Sequence, residues 1–276
     1  MNDVSVIDRA PLHPVAPASA AQAGAVVVLP TYNEVDNITP LVESILAQEG
    51  IRAVVVVDDG SPDGTGRAAD ALAARYGQRV VVLHRGRKLG LGTAYGAGFR
   101  EALQMGAALV CTMDADFSHD PAVLPRLLAA AAEADLVIGS RYTAGGSIDG
   151  DWGWHRRFLS AGANALSRRV IGLSADDCTS GFRCYRASLL GEVDLEGIRS
   201  SGYSYLIEML FRCQRAGARV AEVPIRFTDR RHGASKISRA EIGRAAETVV
   251  RLAWRRWYAR RRLRLPGRPP RGQSPG

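Results

Sequence analysis

Short apolar runs alternate with segments of helical periodicity through the first half of the chain, and this alternation constrains the fold more than any other feature. The runs at 25–29, 53–57 and 80–83 have the length and composition of buried parallel strands. The segment after the first run repeats its apolar residues at the spacing of one helical face: Ile38, Leu41, Val42, Ile45 and Leu46. Because strand–helix–strand units cross over with one hand, the pattern predicts an α/β fold with a mainly parallel central sheet.

The chain is long enough to bury one large core, with 276 residues of which 46% are hydrophobic and 23% charged. Its pattern predicts a disordered leader rich in Ala and Pro over residues 1–24, a main domain over 25–240, a basic helix over 241–264 and a disordered tail over 265–276. The four cysteines lack the spacing of a metal finger, so we interpret them as reduced thiols.

The apolar run that begins at Val110 ends in two acids, Asp114 and Asp116, one residue apart. Both are expected at the carboxyl edge of the sheet, where open α/β folds bind ligands. In an extended chain the side chains of residues i and i+2 point the same way, and two such carboxylates repel each other unless a cation lies between them. Mg²⁺ or Mn²⁺ suits such a site and commonly takes substrate phosphates and water as further ligands. The alternative is that Asp116 caps the next helix and Asp114 is solvated.

Two other predicted strands also end in polar clusters. Tyr32 and Glu34 follow the first strand, and Asp58, Asp59 and Ser61 follow the second. In a parallel sheet these clusters share the edge that carries the acid pair. A nucleoside with a metal-bound diphosphate fits this set, since Asp59 could accept hydrogen bonds from a base and Glu34 from a base or ribose. The alternative for each residue is a loop-tip acid or a helix cap.

A basic, glycine-rich loop at 85–92 precedes the next predicted helix. Its Gly90-Leu91-Gly92 sequence matches neither G-x-G-x-x-G nor a P-loop, which disfavours a dinucleotide-binding enzyme. We interpret this loop as a flexible lip or a close-packed helix start.

The second half of the chain contributes cations to the predicted site. Arg156 and Ser160 are i,i+4 neighbours on a predicted helix and, together with Arg141, could gather a phosphate. The alternative is a solvated arginine face. A second basic loop contains Arg230 and Lys236 and could close over a diphosphate, or it forms a charged surface turn.

The net charge of +8 and the isoelectric point near 9.7 favour a polyanionic partner: nucleic acid, an anionic membrane or an anionic substrate.

The predicted basic helix carries six apolar residues on one face: Ile242, Ala246, Val249, Val250, Ala253 and Trp257. Such a helix suits an anionic leaflet. No apolar run approaches the ~20 residues that a membrane span needs, so peripheral attachment to the cytoplasmic face of the membrane is expected. A basic nucleic-acid-binding protein ranks second, because no folded nucleic-acid-binding motif is recognised elsewhere.

Three motifs occur in order at 29–34, 58–65 and 113–119. They read Leu-Pro-Thr-Tyr-Asn-Glu, Asp-Asp-Gly-Ser-Pro-Asp-Gly-Thr and Met-Asp-Ala-Asp-Phe-Ser-His. In this combination the chain resembles family-2 glycosyltransferases of the GT-A fold, a Rossmann-like nucleotide-diphospho-sugar transferase fold. Within that family it most resembles dolichyl- and polyprenyl-phosphate mannose synthases. Segments at 139–142, 177–183 and 232–236 extend the resemblance, which covers residues 25–240.

The resemblance implies GDP-mannose as donor and a polyprenyl phosphate as acceptor. It implies a nucleoside site at Pro30, Tyr32, Glu34, Val57 and Asp59. It implies that Asp114 and Asp116 bind Mg²⁺ or Mn²⁺, with Ala115 near the donor. It implies that Arg141, Arg230 and Lys236 contact the donor phosphates or the leaving GDP and act with Asp116 in catalysis. It implies that Arg141, Arg156 and Ser160 hold the lipid phosphate.

The chain departs from the family pattern at one position of the metal motif. Members often carry a glutamine two residues after the second acid, where this chain has Ser118. Many relatives have C-terminal membrane spans, whereas attachment here would come from amphipathic surfaces or from a partner membrane protein. Prenyl-phosphate glucosyltransferases share much of the pattern and are the alternative within the family. The expected reaction is a direct displacement that inverts the anomeric centre, and it needs no dedicated general base because a phosphate monoester is already ionised near neutral pH.

Overall fold

A computed structural model describes residues 24–149, 154–200, 202–228 and 239–264. Its strands are β1 (Ala25–Thr31), β2 (Ile51–Asp58), β3 (Val80–His84), β4 (Leu109–Thr112), β5 (Leu136–Ser140), β6 (Ser147–Ile148), β7 (Arg183–Arg186), β8 (Val220–Pro224) and β9 (Arg226–Phe227). The predicted leader up to residue 23 and the predicted tail at 265–276 lie outside the described residues.

Seven of these strands form the central sheet, in the spatial order β3-β2-β1-β4-β7-β5-β8. All neighbours pair in parallel except β7, which runs antiparallel to both β4 and β5. The prediction of a mainly parallel sheet is therefore confirmed. The short strands β6 and β9 form a separate parallel pair.

Helices cover both faces of this sheet. They are α1 (Val35–Leu46), α2 (Thr65–Tyr76), α3 (Leu91–Gln104), α4 (Leu124–Ala130), α5 (Trp154–Ile171), α6 (Ala187–Glu192), α7 (Tyr203–Arg215) and α8 (Arg239–Arg264). Alternate residues of β1 enter opposite cores, as the two-residue period of a strand requires. Val26 and Val28 pack in the core with α3 and α7, whereas Val27 and Leu29 pack in the core with α1, α2 and α4.

One close approach fixes α3 against the sheet. A β-carbon on Gly98 would lie 2.2 Å from Cγ1 of Val28, so only glycine allows the helix to pack this closely on β1. The parallel pairing also sets the strand ends level, with Thr31 beside Asp58 and the backbone N–H of Met113 donating to the carbonyl of Val28. The segments that follow β1, β2 and β4 therefore leave the sheet at one edge.

The basic helix α8 packs against α5 and α7. Val249 and Leu252 are buried in this contact, whereas Val250, Trp254 and Trp257 are exposed. The predicted apolar face, which grouped Val249 with Val250 and Trp257, is thus divided between the protein core and the surface. The described residues contain no helix that combines the length and apolar character of a membrane span.

A buried carboxylate holds α8 in place. Glu208 of α7 is fully buried and accepts hydrogen bonds from Arg251 of α8 at 2.8 Å, from Ser200 at 2.6 Å and from Arg212 at 3.0 Å. Burial alone would raise the pKa of Glu208, but these partners lower it from 4.5 to about 2. The ion pair with Arg251 therefore ties the basic helix to the main domain.

We expect Glu208→Gln to lower the free energy of unfolding at pH 7 by about 3 kcal/mol, the value that corresponds to the depressed pKa. A carboxylate with a lowered folded-state pKa contributes its stability fully above the unfolded value of 4.5 and loses it as the pH falls toward 2. The difference between wild type and variant should therefore shrink as the pH is lowered from 4.5. Urea denaturation between pH 7 and pH 3 measures this difference.

Glu247→Gln is the matched control, because Glu247 lies exposed on α8. It should change stability by less than about 0.5 kcal/mol. Equal losses in the two variants would contradict the role assigned to the buried carboxylate.

Candidate active site

The side chains predicted from the strand ends come to one edge of the sheet. Tyr32 and Glu34 follow β1, Asp59 follows β2, and Arg141 follows β5, which runs parallel to β8 and in the same direction as β4. The acid pair follows β4, between the strands that lead to Asp59 and Arg141. The topology therefore brings the acids of three crossover units and one arginine together.

Asp116 is held rigidly in a local turn. It is 4% exposed, and its Oδ1 accepts hydrogen bonds from the backbone N–H of Ser118 at 3.0 Å and from the Ser118 hydroxyl at 2.6 Å. Phe117 between them has φ of +61°, a left-handed conformation that closes this turn. Ser118 thus orients Asp116.

The alternative that Asp116 caps the following helix is wrong. A 3₁₀ turn at Pro121–Val123 precedes α4, and the side chain of Asp120 accepts from the backbone N–H of Ala122 at 2.9 Å. Asp120 is therefore the cap, and Asp116 belongs to the edge of the sheet.

Asp114 is held by a hydrogen bond to a buried histidine. Its backbone N–H donates to Nδ1 of His119 at 3.2 Å, so this nitrogen is the acceptor and the ring is neutral. His119 is 2% exposed and stacks on Phe182, with ring centroids 5.0 Å apart. Burial lowers the pKa of His119 below its usual 6.5 and outweighs the nearby carboxylates of Asp114 and Asp116, which raise it. The carboxylate of Asp114 is about one-third exposed, so it opens toward solvent.

The chemistry of the acid pair suits a hard divalent cation. Asp114 and Asp116 offer carboxylate oxygens, the donors that Mg²⁺ and Mn²⁺ prefer. Within the described ranges no cluster of three His, Cys, Asp or Glu side chains forms a closed metal site. An ion held by the pair would keep coordination positions for substrate oxygens and water.

A buried ion pair fixes Arg141 on the other side of the acids. Its Nε and Nη2 donate to the two carboxylate oxygens of Asp177, both at 2.7 Å, and Nη2 also donates to the Thr179 hydroxyl at 2.8 Å. Asp177 is fully buried, and although burial raises its pKa, hydrogen bonds and charge from Arg141 lower it overall. The guanidinium, which also lies 5.2 Å from the ring centroid of Phe227, is therefore preorganised.

Asp177 is itself positioned by side chains that no sequence pattern indicates. Its backbone N–H donates to Glu222 of β8 at 3.0 Å, and the next N–H, of Cys178, donates to Asn164 of α5 at 2.9 Å. The segment at 177–183 belongs to the pattern that carries the family resemblance, but the sequence analysis assigns Asp177 no role. The one sequence signal that could have drawn attention to Asp177 is that it follows another acid, Asp176.

The basic loop at 85–90 closes onto the predicted nucleoside residues. Nη1 of Arg85 lies 3.0 Å from Oδ1 of Asp59, and Oδ2 accepts from the backbone N–H groups of Leu89 and Gly90. Nζ of Lys88 lies 3.9 Å from the ring centroid of Tyr32. The loop, interpreted from sequence as a lip or helix start, therefore contacts both predicted site residues through Arg85 and Lys88, two contacts that the sequence analysis did not foresee.

The remaining predicted nucleoside residues differ in accessibility. Glu34 accepts a hydrogen bond from Asn37 at 2.8 Å, while its backbone N–H donates to Thr65 at 2.8 Å. Pro30 is half-buried near the end of β1. The side chains of Val57 and Ala115 are buried in the two cores, so any contact they make with a ligand must come from the backbone.

Four predicted site residues cannot be placed beside these groups. Arg156 and Ser160 lie within the bounds of α5, but the structure does not describe their side chains. Arg230 and Lys236 lie outside the described residues. Their assignments stay predictions.

Comparison with known proteins gives consistent similarities. Residues 26–194 match Glycosyl transferase family 2. A polyprenol monophosphomannose synthase of Mycolicibacterium smegmatis is 44% identical over 238 residues, which cover 86% of this chain and 88% of that protein. An undecaprenyl-phosphate mannosyltransferase of Micrococcus luteus is 45% identical over 224 residues, 81% of this chain and 91% of that protein.

Solved structures agree on the fold. Glucosyl-3-phosphoglycerate synthase from Mycobacterium tuberculosis, in complex with Mn²⁺, UDP and glucosyl-3-phosphoglycerate, is 22% identical with a TM-score of 0.58, and the match covers 86% of this chain and 80% of that chain. The same enzyme with Mg²⁺ and UDP gives a TM-score of 0.60 at the same identity and coverage. The expected GT-A fold is confirmed.

We expect Asp177→Asn to destabilise the protein by about 3 kcal/mol or more, because it removes the charge that neutralises a buried guanidinium. The neighbouring variant Asp176→Asn breaks only the partly exposed pair with Arg168 and should cost less than about 1 kcal/mol. Urea denaturation of both variants measures the two losses. If both variants lost the same free energy of unfolding, the ion pair between Asp177 and Arg141 would not contribute more to stability than the partly exposed pair.

Proposed function

The chain belongs to Glycosyl transferase family 2, and we propose that it transfers mannose from GDP-mannose to a polyprenyl monophosphate, giving polyprenyl-phosphate β-mannose and GDP. The observation that carries this proposal is the order of groups along the sheet edge. Tyr32 and Asp59 lie at one end, the acid pair Asp114 and Asp116 in the middle, and Arg141 at the other end. The two curated relatives, which bear the names of mannosyl-lipid enzymes, support the choice of sugar and acceptor.

The donor would lie across the edge from β2 to β5. The nucleoside would take Pro30, Tyr32, Glu34, the Val57 backbone and Asp59. The diphosphate and sugar would meet the remaining donor residues: Asp114, Ala115, Asp116, Arg141, Arg230 and Lys236. The resemblance to mannose synthases supports guanine as the base.

Asp114 and Asp116 would hold Mg²⁺ or Mn²⁺. When bound, the ion would stabilise the negative charge that develops on the leaving diphosphate. The role of the chain itself is to keep the two carboxylates in place, through Ser118 at Asp116 and His119 at the Asp114 backbone. Structural neighbours that carry Mn²⁺ or Mg²⁺ together with UDP support a divalent ion at this edge.

The acceptor would approach from the side of Arg141. A phosphate monoester is already ionised near neutral pH, so the site must position its oxygen more than deprotonate it. Arg141 is suited to this because Asp177 fixes its guanidinium, and Arg156 and Ser160 would complete the phosphate site. Attack of the phosphate oxygen on C1 of mannose with departure of GDP inverts the anomeric centre, while Arg141, Arg230 and Lys236 stabilise the departing diphosphate.

The lipid acceptor requires the enzyme to meet a bilayer, and α8 is the surface we assign to this contact. Its exposed side chains Val250, Trp254, Trp257 and Tyr258 recur at one-turn spacing. Nine arginines and no acids follow Glu247 in the sequence, and each cation near an anionic leaflet adds roughly 1 kcal/mol. The proposed location is therefore peripheral, at the cytoplasmic face of the membrane, with attachment through this surface directly or with a membrane-protein partner.

The direct test is a panel of radiolabelled nucleotide sugars with a polyprenyl phosphate, with and without EDTA. GDP-mannose should give a mannolipid, and EDTA should abolish its formation. A preference for UDP-glucose would overturn the mannose assignment in favour of the glucosyl alternative, and undiminished transfer in EDTA would overturn the metal assignment.

Asp116→Ala should reduce transfer by at least about 100-fold, because it removes one of the two carboxylates that would hold the cation. Its thermal unfolding should remain cooperative. Glu49→Gln, a change at an exposed acid after α1, should retain full activity in the same mannolipid assay. Full activity of Asp116→Ala would contradict the metal site.

Trp254→Ala should weaken binding to phosphatidylglycerol-containing vesicles by about tenfold. The indole, which is exposed in the free protein, would bury one of the largest apolar areas of any side chain when it enters the membrane interface. Vesicle co-sedimentation at fixed salt measures this loss. Trp254→Phe should retain most of the binding. Unchanged binding of Trp254→Ala would remove α8 from the membrane contact.

A further inference from the structure

Two tyrosines in the core beneath the acid pair carry hydroxyls without a hydrogen-bond partner among the described residues. Tyr95 of α3 is 1% exposed and Tyr205 of α7 is 3% exposed, and both hydroxyls are shielded from solvent. Their rings stack with centroids 5.6 Å apart. An unpaired buried hydroxyl lowers stability, and such groups are rare in native proteins. Each of these two hydroxyls therefore calls for an explanation.

The hydroxyl of Tyr95 and the carboxylate of Asp114 lie beside the same glycine, Gly181. A β-carbon at Gly181 would lie 3.2 Å from the Tyr95 hydroxyl oxygen and 3.1 Å from Oδ1 of Asp114. The two oxygens thus flank the same small space, which the absence of a side chain at Gly181 leaves open. A tyrosine hydroxyl can donate one hydrogen bond, and a carboxylate oxygen can accept it.

The hydroxyl of Tyr205 has different surroundings. Tyr205 borders a surface cavity formed with the start of α3 and residues 195–200. The stack therefore contains two buried tyrosine hydroxyls, of which that of Tyr95 borders the small space beside Asp114.

The position of Tyr95 is fixed from three sides. Its ring stacks on Phe99 as well as on Tyr205, with centroids 6.0 Å apart in the first case. Gly98, one turn along, packs directly on β1. The carbonyl of Gly181 accepts a hydrogen bond from the Thr112 hydroxyl at 2.7 Å, which fixes the loop at 176–183 against β4. The Tyr95 hydroxyl is therefore held in a fixed position near Asp114, where it can orient the carboxylate by a hydrogen bond.

We propose that Tyr95 is a positioning residue of the metal site, whose hydroxyl donates a hydrogen bond to an oxygen on the Asp114 side of the bound divalent cation. The oxygen is that of the carboxylate itself or of a water held by the ion. This inference rests on the proposed binding of Mg²⁺ or Mn²⁺ by Asp114 and Asp116. Tyr95 would do for Asp114 what the Ser118 hydroxyl does for Asp116. Partners of this kind, which orient the ligands of an ion, commonly change metal affinity when they are removed.

The test compares Tyr95→Phe with Tyr205→Phe in the full-length protein. Each change removes one buried, unpaired hydroxyl from the same aromatic stack and keeps the ring. We expect Tyr95→Phe to weaken Mn²⁺ binding about tenfold, measured by isothermal titration with MnCl₂ alone and by the electron paramagnetic resonance of free Mn²⁺. Its melting temperature should be unchanged or higher, because the unpaired hydroxyl is gone. Tyr205→Phe should bind Mn²⁺ as wild type does.

The possible outcomes separate this inference from the proposed function. Wild-type affinity for Mn²⁺ in Tyr95→Phe overturns the positioning role and leaves the metal site intact. Equal weakening in both variants, or a loss of melting temperature that accompanies weaker binding in Tyr95→Phe, shows a general effect of the stack and also overturns it. Failure of the wild-type protein to bind Mn²⁺ overturns the metal site and this inference together.

Discussion

Parallel hydrogen bonding between β1, β2 and β4 is the constraint on which the site depends. Pairing in this direction sets the ends of three strands level, so residues that are 82 positions apart in the chain, Tyr32 and Asp114, leave the sheet at one edge. The antiparallel strand β7 lies between β4 and β5, and it brings the loop at 176–183 alongside the same edge. Without this register the acids would be unrelated surface charges.

The charged groups at this edge are engaged within the protein before any substrate arrives. Arg141 is matched by Asp177, Asp59 by Arg85, and Asp116 by the hydroxyl and N–H of Ser118. Such arrangements hold side chains in fixed directions, so little reorganisation is needed when charge develops in a reaction. Part of the cost of burying each charge is offset by its partner.

The sequence was sufficient for the fold and for the strand-end residues, because periodicity and the direction of parallel strands determine both. It did not identify Asp177, Arg85, Lys88 or Tyr95. These side chains make tertiary contacts with residues 26 to 110 positions away in the chain, and no local pattern encodes such contacts. The division of the α8 face had the same cause, since burial of Val249 and Leu252 depends on α7 and not on helical periodicity alone.

The loop at 85–90 has a consequence for turnover. In the proposed reaction, a nucleoside that stacks on the ring face of Tyr32 covered by Lys88 would displace Lys88, and a base that bonds to Asp59 would share it with Arg85 and two backbone N–H groups. The loop would thus compete with the nucleotide for these two side chains, and the free energy of its contacts would be subtracted from the affinity for both donor and product. Recovery of these contacts would favour release of the product, so weaker retention of the nucleotide would be exchanged for faster renewal of the empty enzyme.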